Sequence, residues 1–529
     1  MDKLKQDIIQ ASMKNKLVIN TVGFFFMVAL IIIRYPNFIL QPRFWAEEAI
    51  YFEIFYSLDS WWHAFDLLIY PAYYLFLSRL GPSLATLFPI EYAPLITSLL
   101  GLLILLIPLI IIFFTDSHYW KSTKNKIVIS LLYIVCSTTG EVWMTSTNLG
   151  FIVPVFVFLI LIDDNLHSFA KRIFYNFLLF IGSISSPIAM IMAPFFFIKH
   201  FLKRDTYSKN YCIILFIAAL LQLFHYLTAS NFGMVAEDRL DIGSWDMPTI
   251  LGNLLAYNLI FPLFGYFVSL LFREFFSLFA IGSSLENFLL SVNINSDPSS
   301  TFFIFFEFLA FAALPILFIL TILTGLIFYK IYRRESIQKK IFFIGIYLYL
   351  SLALNFLSLG ALGGFRYSII TSFILLFYLY TFLLDSPNPK NYLIKSLLAI
   401  SLFVGFAEYY PRVHTYVPNT FVAEEIEWPK WNNEIELWKS NSSYLPRAWP
   451  YIKNKDLMYP ERKKNEANIV CIDLNHPKNW ERMGYRYLST SFLEMIQIGL
   501  VNRTDLQIIH YDNCYGNIII NGEQESLKQ

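Results

Sequence analysis

The sequence predicts an all-α polytopic membrane bundle of about 11 transmembrane helices (range about 11–13), followed by a small C-terminal α/β domain outside the membrane. Two observations predict this class: the composition and the long apolar segments. The 529 residues are 56% hydrophobic, with a mean hydropathy of +0.52 and only 15% charged residues, whereas soluble domains carry about 25%. A soluble core cannot bury that much apolar surface, so a soluble enzyme, a disordered chain and a nucleic-acid-binding protein are excluded.

The net charge and the cysteine content imply no further partner. Lys and Arg number 40 against 39 Asp and Glu, so bulk charge indicates neither a basic nor an acidic partner. Four cysteines are too few for a disulfide scaffold or a zinc module. The function must therefore be sought in individual residues near the membrane.

The transmembrane helices are predicted from apolar segments that approach the roughly 20 residues needed to cross the hydrocarbon core. Eleven segments qualify, near residues 17–34, 92–115, 127–138, 146–162, 173–184, 187–199, 210–229, 303–330, 340–358, 367–384 and 393–408. The segment 249–272 is a further candidate, with a return through 275–295. Both together would give 13 crossings with the same final orientation.

The Lys/Arg bias of short loops predicts the orientation. Basic residues at the N-terminus and in alternate loops place the N-terminus in the cytoplasm and the loops 35–91 and 230–302 outside. The first apolar run lacks a small-residue cleavage site, so we expect a retained helix. The segment 173–199 breaks at Ser185-Ser186-Pro187 and is basic at both ends, which favours two short crossings in a tight hairpin. The mixed segment 64–80 suits a helix lying in the membrane interface.

The composition divides the chain into a transmembrane domain, 1–408, and an extracytoplasmic domain, 409–529. The latter is polar and rich in Lys, Asn and Glu, and it contains two predicted strands, 468–474 and 506–511, and a predicted helix, 490–501. Its cysteines, Cys471 and Cys514, are either bonded or free. Two interpretations of its tryptophans are open: they stack on sugars, or they form the core of the domain. These residues are Trp428, Trp431, Trp438 and Trp449.

The first candidate site is the WAEEA motif at 45–49, directly after the first predicted helix. Its adjacent carboxylates, Glu47 and Glu48, suit a general base or the oxygen ligands of a divalent cation. A solvated acidic turn is the alternative. The second candidate is the segment 140–148, GEVWMTSTN. A simple helix cap would need only Thr or Asn, so the presence of Glu141 indicates a further role.

Two further candidates lie on the same predicted side of the membrane. The break at Ser186-Pro187 frees backbone groups that must be satisfied inside the protein or in a water-filled cavity. In GALGGFRY at 360–367, glycines permit close approach of a ligand, and Arg366 calls for an anionic partner, either a protein carboxylate or a lipid phosphate. The charges of the second outer loop are read mainly as solvated; they are Glu237, Asp238, Arg239, Asp241 and Asp246.

The order of these motifs resembles the GT-C superfamily of membrane glycosyltransferases over roughly residues 20–380. The matching elements are the WAEEA motif, Gly140-Glu141-Val142 with Asn148, Ser186-Pro187, and Arg366-Tyr367. The chain departs from the expected pattern at Glu48, Ala49 and Ser186, where Asp, Gly and Gly are expected. Glutamate in place of aspartate moves the carboxylate by one methylene, which bears on activity and on substrate.

The resemblance implies inverting transfer of a sugar from a polyprenyl-phosphate donor to a lipid or glycan acceptor of the cell envelope. Glu47 or Glu48 would act as general base, and Arg366 or a divalent cation (Mg or Mn) held by these carboxylates would stabilise the leaving phosphate. The implied substrate-binding residues are Trp45, Glu141, Asn148, Ser186, Arg366 and Tyr367. The implied location is a bacterial inner (plasma) membrane, in contact with membrane lipids.

Other function classes remain open from the sequence. A transporter or flippase for a lipid-linked saccharide is the first, but transporters place polar groups at mid-membrane depth and contain repeats. This chain shows mainly His225 and Glu307 within its predicted spans and no internal repeat. A non-catalytic envelope assembly protein and an inactive homologue are the others. The sequence leaves the sugar, the acceptor and the metal requirement undetermined.

Overall fold

A computed structural model describes a mainly helical chain. The described residues are 2–45, 48–68, 74–136, 142–165, 168–231, 252–265, 268–269, 272–273, 337–357, 365–385, 391–409, 426–427, 430–441, 444–446, 451–452, 474, 486–487, 517–520 and 523–526. The chain divides into two compact units. The first unit comprises 1–23, 116–139 and 237–410; the second comprises 24–115, 140–236 and 411–529.

Helices dominate both units. The α-helices are α1 (Asp2–Arg34), α2 (Asn37–Leu40), α3 (Glu48–Tyr56), α4 (Phe76–Ala85), α5 (Ala93–Phe114), α6 (Thr123–Leu131), α7 (Val153–Ile162), α8 (Phe169–Ser185), α9 (Pro187–Ile191), α10 (Ala193–Lys203), α11 (Thr206–Asn231), α12 (Ile337–Leu357), α13 (Ile369–Asp385), α14 (Tyr392–Tyr409) and α15 (Trp431–Ser440). The 3-10 helices are Trp61–Phe65, Ile90–Tyr92, Thr147–Phe151 and Phe365–Ser368, and π-helical turns occupy Leu132–Cys136 and Ala256–Ile260.

Helices occupy every predicted span that falls within the described residues. Four of them are long and apolar enough to cross a membrane: Asn15–Arg34, Ile90–Phe114, Thr206–Thr228 and Phe365–Leu384. A bent helix pair at 169–202 is a fifth candidate. These helices indicate a membrane protein. The number of 11 crossings and the orientation stay predictions, and the segments 275–295 and 303–330, with the loop charges at 237–246, lie outside the described residues.

The apolar faces of the long helices support a lipid environment. In α1, Val22 and Phe25 are more than half exposed, and in α11 the same holds for Phe216 and Leu227. Contiguous exposed apolar surface of this kind is rare on soluble proteins. Lipid is therefore the expected neighbour of these faces.

The segment 169–203 bends sharply at the break expected from the sequence and forms a hairpin, while the two membrane crossings stay a prediction. The axes of its two helical parts differ in direction by 113° at the break before Pro187. At the base, the Lys171 ammonium pairs with Asp163 Oδ2 at 2.6 Å, and the Lys199 ammonium donates to the Leu161 carbonyl at 2.5 Å. The start of α8 and the end of α10 therefore both contact the C-terminal end of α7. The basic residues at these two positions make the contacts.

The prediction of one interfacial helix over 64–80 is wrong. This segment contains the end of the 3-10 helix Trp61–Phe65, then a short strand, β1 (Leu67–Leu68), and then the start of α4. The polar residues of α4, among them Ser78 and Arg79, are buried. They hydrogen-bond within the protein instead of facing a headgroup layer, so α4 is a packed element of the second unit.

The described part of the C-terminal segment consists of short strands and one helix. Strand β1 pairs with β4 (Arg486–Tyr487), and β2 (Ile426–Glu427) pairs with β3 (Tyr451–Ile452). Strands β5 (Asn517–Ile520) and β6 (Glu523–Ser526) pair antiparallel. The predicted strand 506–511 and helix 490–501, together with Trp428, Trp449, Cys471 and Cys514, lie outside the described residues, and the predicted strand 468–474 is described only at Leu474.

Trp431 of α15 packs on the segment that follows α1. Its ring centre lies 5.0 Å from that of Phe44, and its indole N–H donates to the Ile90 carbonyl at 2.8 Å. The Lys439 side chain pairs with Glu91. Trp431 thus belongs to a core shared with the first predicted outer loop, which neither sequence interpretation of the tryptophans included.

Glycine at position 101 is predicted to be essential for packing. A Cβ there would overlap the Met144 carbonyl and lie 2.7 Å from the Thr145 nitrogen, and backbone atoms cannot swing away. We expect Gly101→Ala to destabilise the protein by about 1–3 kcal/mol. Gly345→Ala is the control, because a Cβ there meets no atom within 4 Å. Thermal unfolding in detergent checks both; equal midpoints would contradict the described packing.

Removal of the cation from the ion pair at the hairpin base should destabilise the protein far more than removal of the cation from an exposed pair. Asp163 is fully buried and its partner Lys171 nearly so. Lys171→Met leaves that carboxylate without its cation, which should destabilise by about 3–5 kcal/mol. Lys16 pairs with Asp116 at 3.4 Å on an exposed surface, so Lys16→Met should change stability by about 0–1 kcal/mol. Detergent unfolding curves compare the two, and similar losses would show that the base is not a closed, dry contact.

Candidate functional site

Glu48 is the centre of the candidate site. It is the first residue of α3 and only 1% exposed. Its Oε1 accepts hydrogen bonds from the Ser146 hydroxyl at 2.8 Å and the Thr147 N–H at 3.3 Å, and also from the Ser146 N–H. Its Oε2 accepts from the Trp45 N–H at 2.8 Å. The same oxygen lies 3.5 Å from the Thr97 hydroxyl, which donates to the Pro94 carbonyl at 2.9 Å. One carboxylate thus contacts three separate segments of the chain.

The contact with Ser146 and Thr147 follows from the local backbone. A 3-10 helix, Thr147–Phe151, begins here and is called the TNLGF turn below. The first N–H groups of any helix have no partner within it, and the N-terminus favours negative charge. Glu48 supplies that charge from a distant segment, so it caps the TNLGF turn.

Two glycines let the chain come close enough for this cap. A Cβ on Gly81 of α4 would lie 2.6 Å from the Ser146 Cβ. Gly101 of α5 lies against the backbone of Met144, which itself adopts a left-handed conformation with φ +52°. The segment before the TNLGF turn is therefore pressed against two helices, which fixes the donors that Glu48 meets.

Burial and hydrogen bonding act on the Glu48 carboxyl in opposite directions. Its pKa is raised from the ordinary 4.5 to about 7 as the net result. Burial raises the pKa, and the hydrogen bonds from Ser146, Trp45 and Thr147 lower it by less. Burial dominates because the charged form loses all contact with water. The carboxyl therefore titrates near neutral pH despite its donors.

Three of the four sequence-predicted motifs meet at the TNLGF turn. Trp45 donates to Glu48 and is buried itself. Asn148 is buried within the turn. Ser186, at the apex of the α8–α10 hairpin, donates its hydroxyl to the Gly150 carbonyl at 2.6 Å. Residues 45, 148 and 186 are thereby gathered around one short element.

Of the other predicted site residues, two are not described and two belong to the other compact unit. Glu47 and Glu141 lie outside the described residues. Arg366 and Tyr367 belong to the other compact unit, in the 3-10 helix Phe365–Ser368, where the Arg366 guanidinium lies 5.6 Å from the Tyr367 ring centre.

The Glu48 carboxylate is already engaged by the protein. Its Oε1 accepts from Ser146 and Thr147, and its Oε2 accepts from Trp45. These donors satisfy the carboxylate without a cation. A divalent cation at Glu47 and Glu48 stays a prediction.

Sequence reasoning missed the hydroxyl groups that complete the cluster. Ser78 of α4 donates to the Thr147 carbonyl at 2.9 Å, and Ser185 lies within hydrogen-bond distance of the Leu77 N–H, at 3.3 Å. Thr97 of α5 reaches Glu48 itself. The available signal was the set of hydroxyl and glycine residues inside otherwise apolar helices, such as FLSRLGPSLA at 76–85.

Comparison with protein families, curated proteins and solved structures finds no match to this chain. No family is therefore shown, and the function rests on the residues and their arrangement.

The titration of Glu48 predicts a pH-dependent stability. Its folded-state pKa, about 7, lies above the ordinary 4.5, so the folded state binds the proton more tightly. Wild-type stability relative to Glu48→Gln should rise as the pH falls below about 7, and this gain is lost as the pH rises through that value. Thermal unfolding between about pH 5.5 and 8.5 measures the difference, with the exposed Glu436→Gln as control. A difference that does not vary with pH would mean that Glu48 keeps one protonation state throughout.

Proposed function

We propose that the chain is a membrane glycosyltransferase that moves a sugar from a polyprenyl-phosphate donor to a lipid or glycan acceptor at the outer face of a bacterial plasma membrane. The observation that carries the proposal is the meeting of three separately predicted motifs at the TNLGF turn. Glu48, bonded to the Trp45 N–H, caps the start of the turn, Asn148 is buried within it, and Ser186 donates to the Gly150 carbonyl. A chance set of loop residues has no reason to converge on one short helical turn.

The contacts of Glu48 favour a positioning role for this residue and a catalytic role for Glu47. A general base needs an oxygen within hydrogen-bond reach of the acceptor hydroxyl. Both oxygens of Glu48 accept from the protein, and the residue is buried. Glu48 then anchors the start of α3, and its sequence neighbour Glu47 is the carboxylate that we assign to the acceptor.

The proposed reaction is a single inverting displacement. Glu47 takes the proton of the acceptor hydroxyl while that oxygen forms a bond to the anomeric carbon. The bond from this carbon to the phosphate oxygen breaks, and the polyprenyl phosphate leaves with the electron pair. Arg366 is assigned to stabilise the leaving phosphate, and Glu141 and Asn148 to bind sugar hydroxyls. No step is derived through a metal ion, because protein donors hold the Glu48 carboxylate.

The proposal includes the finer topology expected from the sequence. It comprises 11 crossings, a cytoplasmic N-terminus and an extracytoplasmic segment 409–529. The contact of Trp431 with Phe44 and Ile90 supports a location of this segment on the same side as the WAEEA motif, because the two share one core.

Separate glutamine variants test the assignment of the two carboxylates. Glu47→Gln should fold like the wild type and abolish transfer, because the base is lost while the cap on the TNLGF turn remains. Glu48→Gln should lower both the unfolding temperature and the rate, since an amide N–H would face the backbone donors. The assay follows release of polyprenyl phosphate from a panel of synthetic polyprenyl-phosphate hexoses by the purified protein.

Glu436→Gln is the matched control, because Glu436 is exposed on α15, and it should leave the rate unchanged. Full transfer by Glu47→Gln would disprove the catalytic assignment. The flippase alternative predicts a different result: the intact lipid-linked sugar would move across the membrane of vesicles that contain the protein. Neither glutamine variant would change the rate of this movement.

A further inference from the structure

Arg172 is a partly buried arginine in the first turn of α8 that the proposed reaction does not use. Its guanidinium carbon lies 4.7 Å from the ring centre of Tyr207, at the start of α11, and 5.6 Å from that of Phe169. Its Nη1 donates a hydrogen bond to the Tyr207 hydroxyl. Arginine stacks favourably on aromatic rings, so these contacts hold the guanidinium beside the start of α11.

Most of the hydrogen-bonding capacity of Arg172 is unused by the protein. A guanidinium has five N–H groups and keeps its proton in proteins. Among the residues that the structure describes, the enclosed Nε has no acceptor, and Nη2, which is not enclosed, makes no hydrogen bond either. The ion pairs of these residues do not include Arg172. Arg172 is therefore a cation held in place with hydrogens left for an external acceptor.

The carboxylates of this end of the hairpin are committed to other groups. Two of them pair with lysines: Asp163 with Lys171 and Asp164 with Lys199. A third, Asp205, accepts the N–H of Ser208 at 2.7 Å and so caps the start of α11. Among the described side chains, Arg172 and two exposed residues, Arg204 and Lys209, thus leave a positive surplus here.

An exposed apolar stripe of α8 begins beside this positive charge. Phe169, Ile173 and Phe177 are 69%, 52% and 60% exposed, and their spacing of four residues places them on one face of the helix. Helix α11, which packs on α8 and is a candidate membrane span, likewise exposes Ile217. A positively charged helix end that continues into an exposed apolar face matches the two parts of a phospholipid, the head group and the acyl chains.

The charge of the surface selects among membrane lipids. Basic pockets at the ends of membrane helices bind anionic head groups, and each Lys or Arg near such a surface strengthens the attraction. The fork of the guanidinium suits the oxygens of a phosphate. A soluble anion would satisfy Arg172 but leave the stripe of Phe169, Ile173 and Phe177 uncovered. A phospholipid with net negative charge satisfies both.

We propose that Arg172 binds the phosphate of an anionic phospholipid of the bilayer, with its acyl chains along the apolar stripe of α8. Arg204 supports the binding, because it lies in the turn before α11, three residues ahead of Tyr207 in the chain. This inference goes beyond the proposed function, since the lipid is a bound component of the membrane and not a reactant. Neither Glu47 nor Glu48 takes part in it.

Binding of phosphatidylglycerol to the full-length protein in detergent tests the proposal, with phosphatidylcholine of the same acyl chains as the uncharged reference. Phosphatidylglycerol should raise the unfolding temperature of the wild type more than phosphatidylcholine does. Arg172→Gln should weaken phosphatidylglycerol binding about fivefold, and Arg172→Lys less, because it keeps the charge and loses the fork. Lys121→Gln is the matched control: it removes the same charge from an exposed loop position and should bind as the wild type does.

Four results would overturn the proposal. Equal effects of the two lipids on the wild type would do so without any variant. Stabilisation by glycerol phosphate, the head group without acyl chains, as large as that by phosphatidylglycerol would replace the lipid by a free anion. Unchanged binding by a folded Arg172→Gln would leave Arg172 as a structural contact between α8 and α11. Equal weakening in Lys121→Gln would assign the effect to diffuse surface charge.

A second variant keeps the test decisive if Arg172→Gln does not fold. Arg204 is exposed, so Arg204→Gln should fold, and it should also weaken phosphatidylglycerol binding relative to Lys121→Gln. Binding by Arg204→Gln equal to that of the control would then overturn the proposal. Sugar transfer by these variants is a separate measurement, so failure of the proposed function leaves the lipid site standing, and the reverse holds as well.

Discussion

The second compact unit depends on one interaction, the binding of the Glu48 carboxylate to the start of the TNLGF turn. The donors at Ser146 and Thr147 are separated from Glu48 by about 100 residues of chain, so the interaction closes a long loop. The glycines at 81 and 101 allow the backbone before the turn to approach α4 and α5 closely. Removal of the carboxylate would leave buried donors without their acceptor at Trp45 and at Ser146 and Thr147, which is more damaging than the loss of one hydrogen bond.

The α8–α10 hairpin is fixed to the same region by contacts at both of its ends. Ser186 at its apex bonds to Gly150, just before α7 begins, and Lys171 and Lys199 at its base bond at the end of α7. The two ends of α7 therefore fix the position of the hairpin along this helix. A broken helix needs partners for the backbone groups at the break. Gln222 donates to the Ile184 carbonyl, and the Ser186 hydroxyl accepts from the Ala189 N–H. Because the same hydroxyl donates to Gly150, the break and the TNLGF turn are parts of one arrangement.

The sequence was sufficient for features that depend on local periodicity or on charge at helix ends. The long apolar helices and the bend before Pro187 follow from such patterns. The hydrogen-bond partners of Glu48 could not be predicted, because no residue near position 48 indicates a donor at position 146. The segment 64–80 was misread for a related reason: its alternating polar and apolar residues fit an interface as well as they fit a helix packed on glycine contacts. Trp431 was likewise assigned within its own segment, since a core shared with Phe44 leaves no local pattern.

Two buried charged side chains near α4 meet only uncharged partners. The Glu48 carboxylate accepts from Trp45, Ser146 and Thr147, and the Arg79 guanidinium lies within hydrogen-bond distance of the Leu67 and Ala64 carbonyls and of Nε2 of His225. Neutral partners offset only part of the cost of removing a charge from water, so burial raises the pKa of Glu48 and lowers that of Arg79. Ser78, the neighbour of Arg79, donates to the Thr147 carbonyl, while the Thr147 N–H donates to Glu48. The two costly groups therefore lie on either side of the same residue at the start of the TNLGF turn, and the packing of the second compact unit must hold both in place.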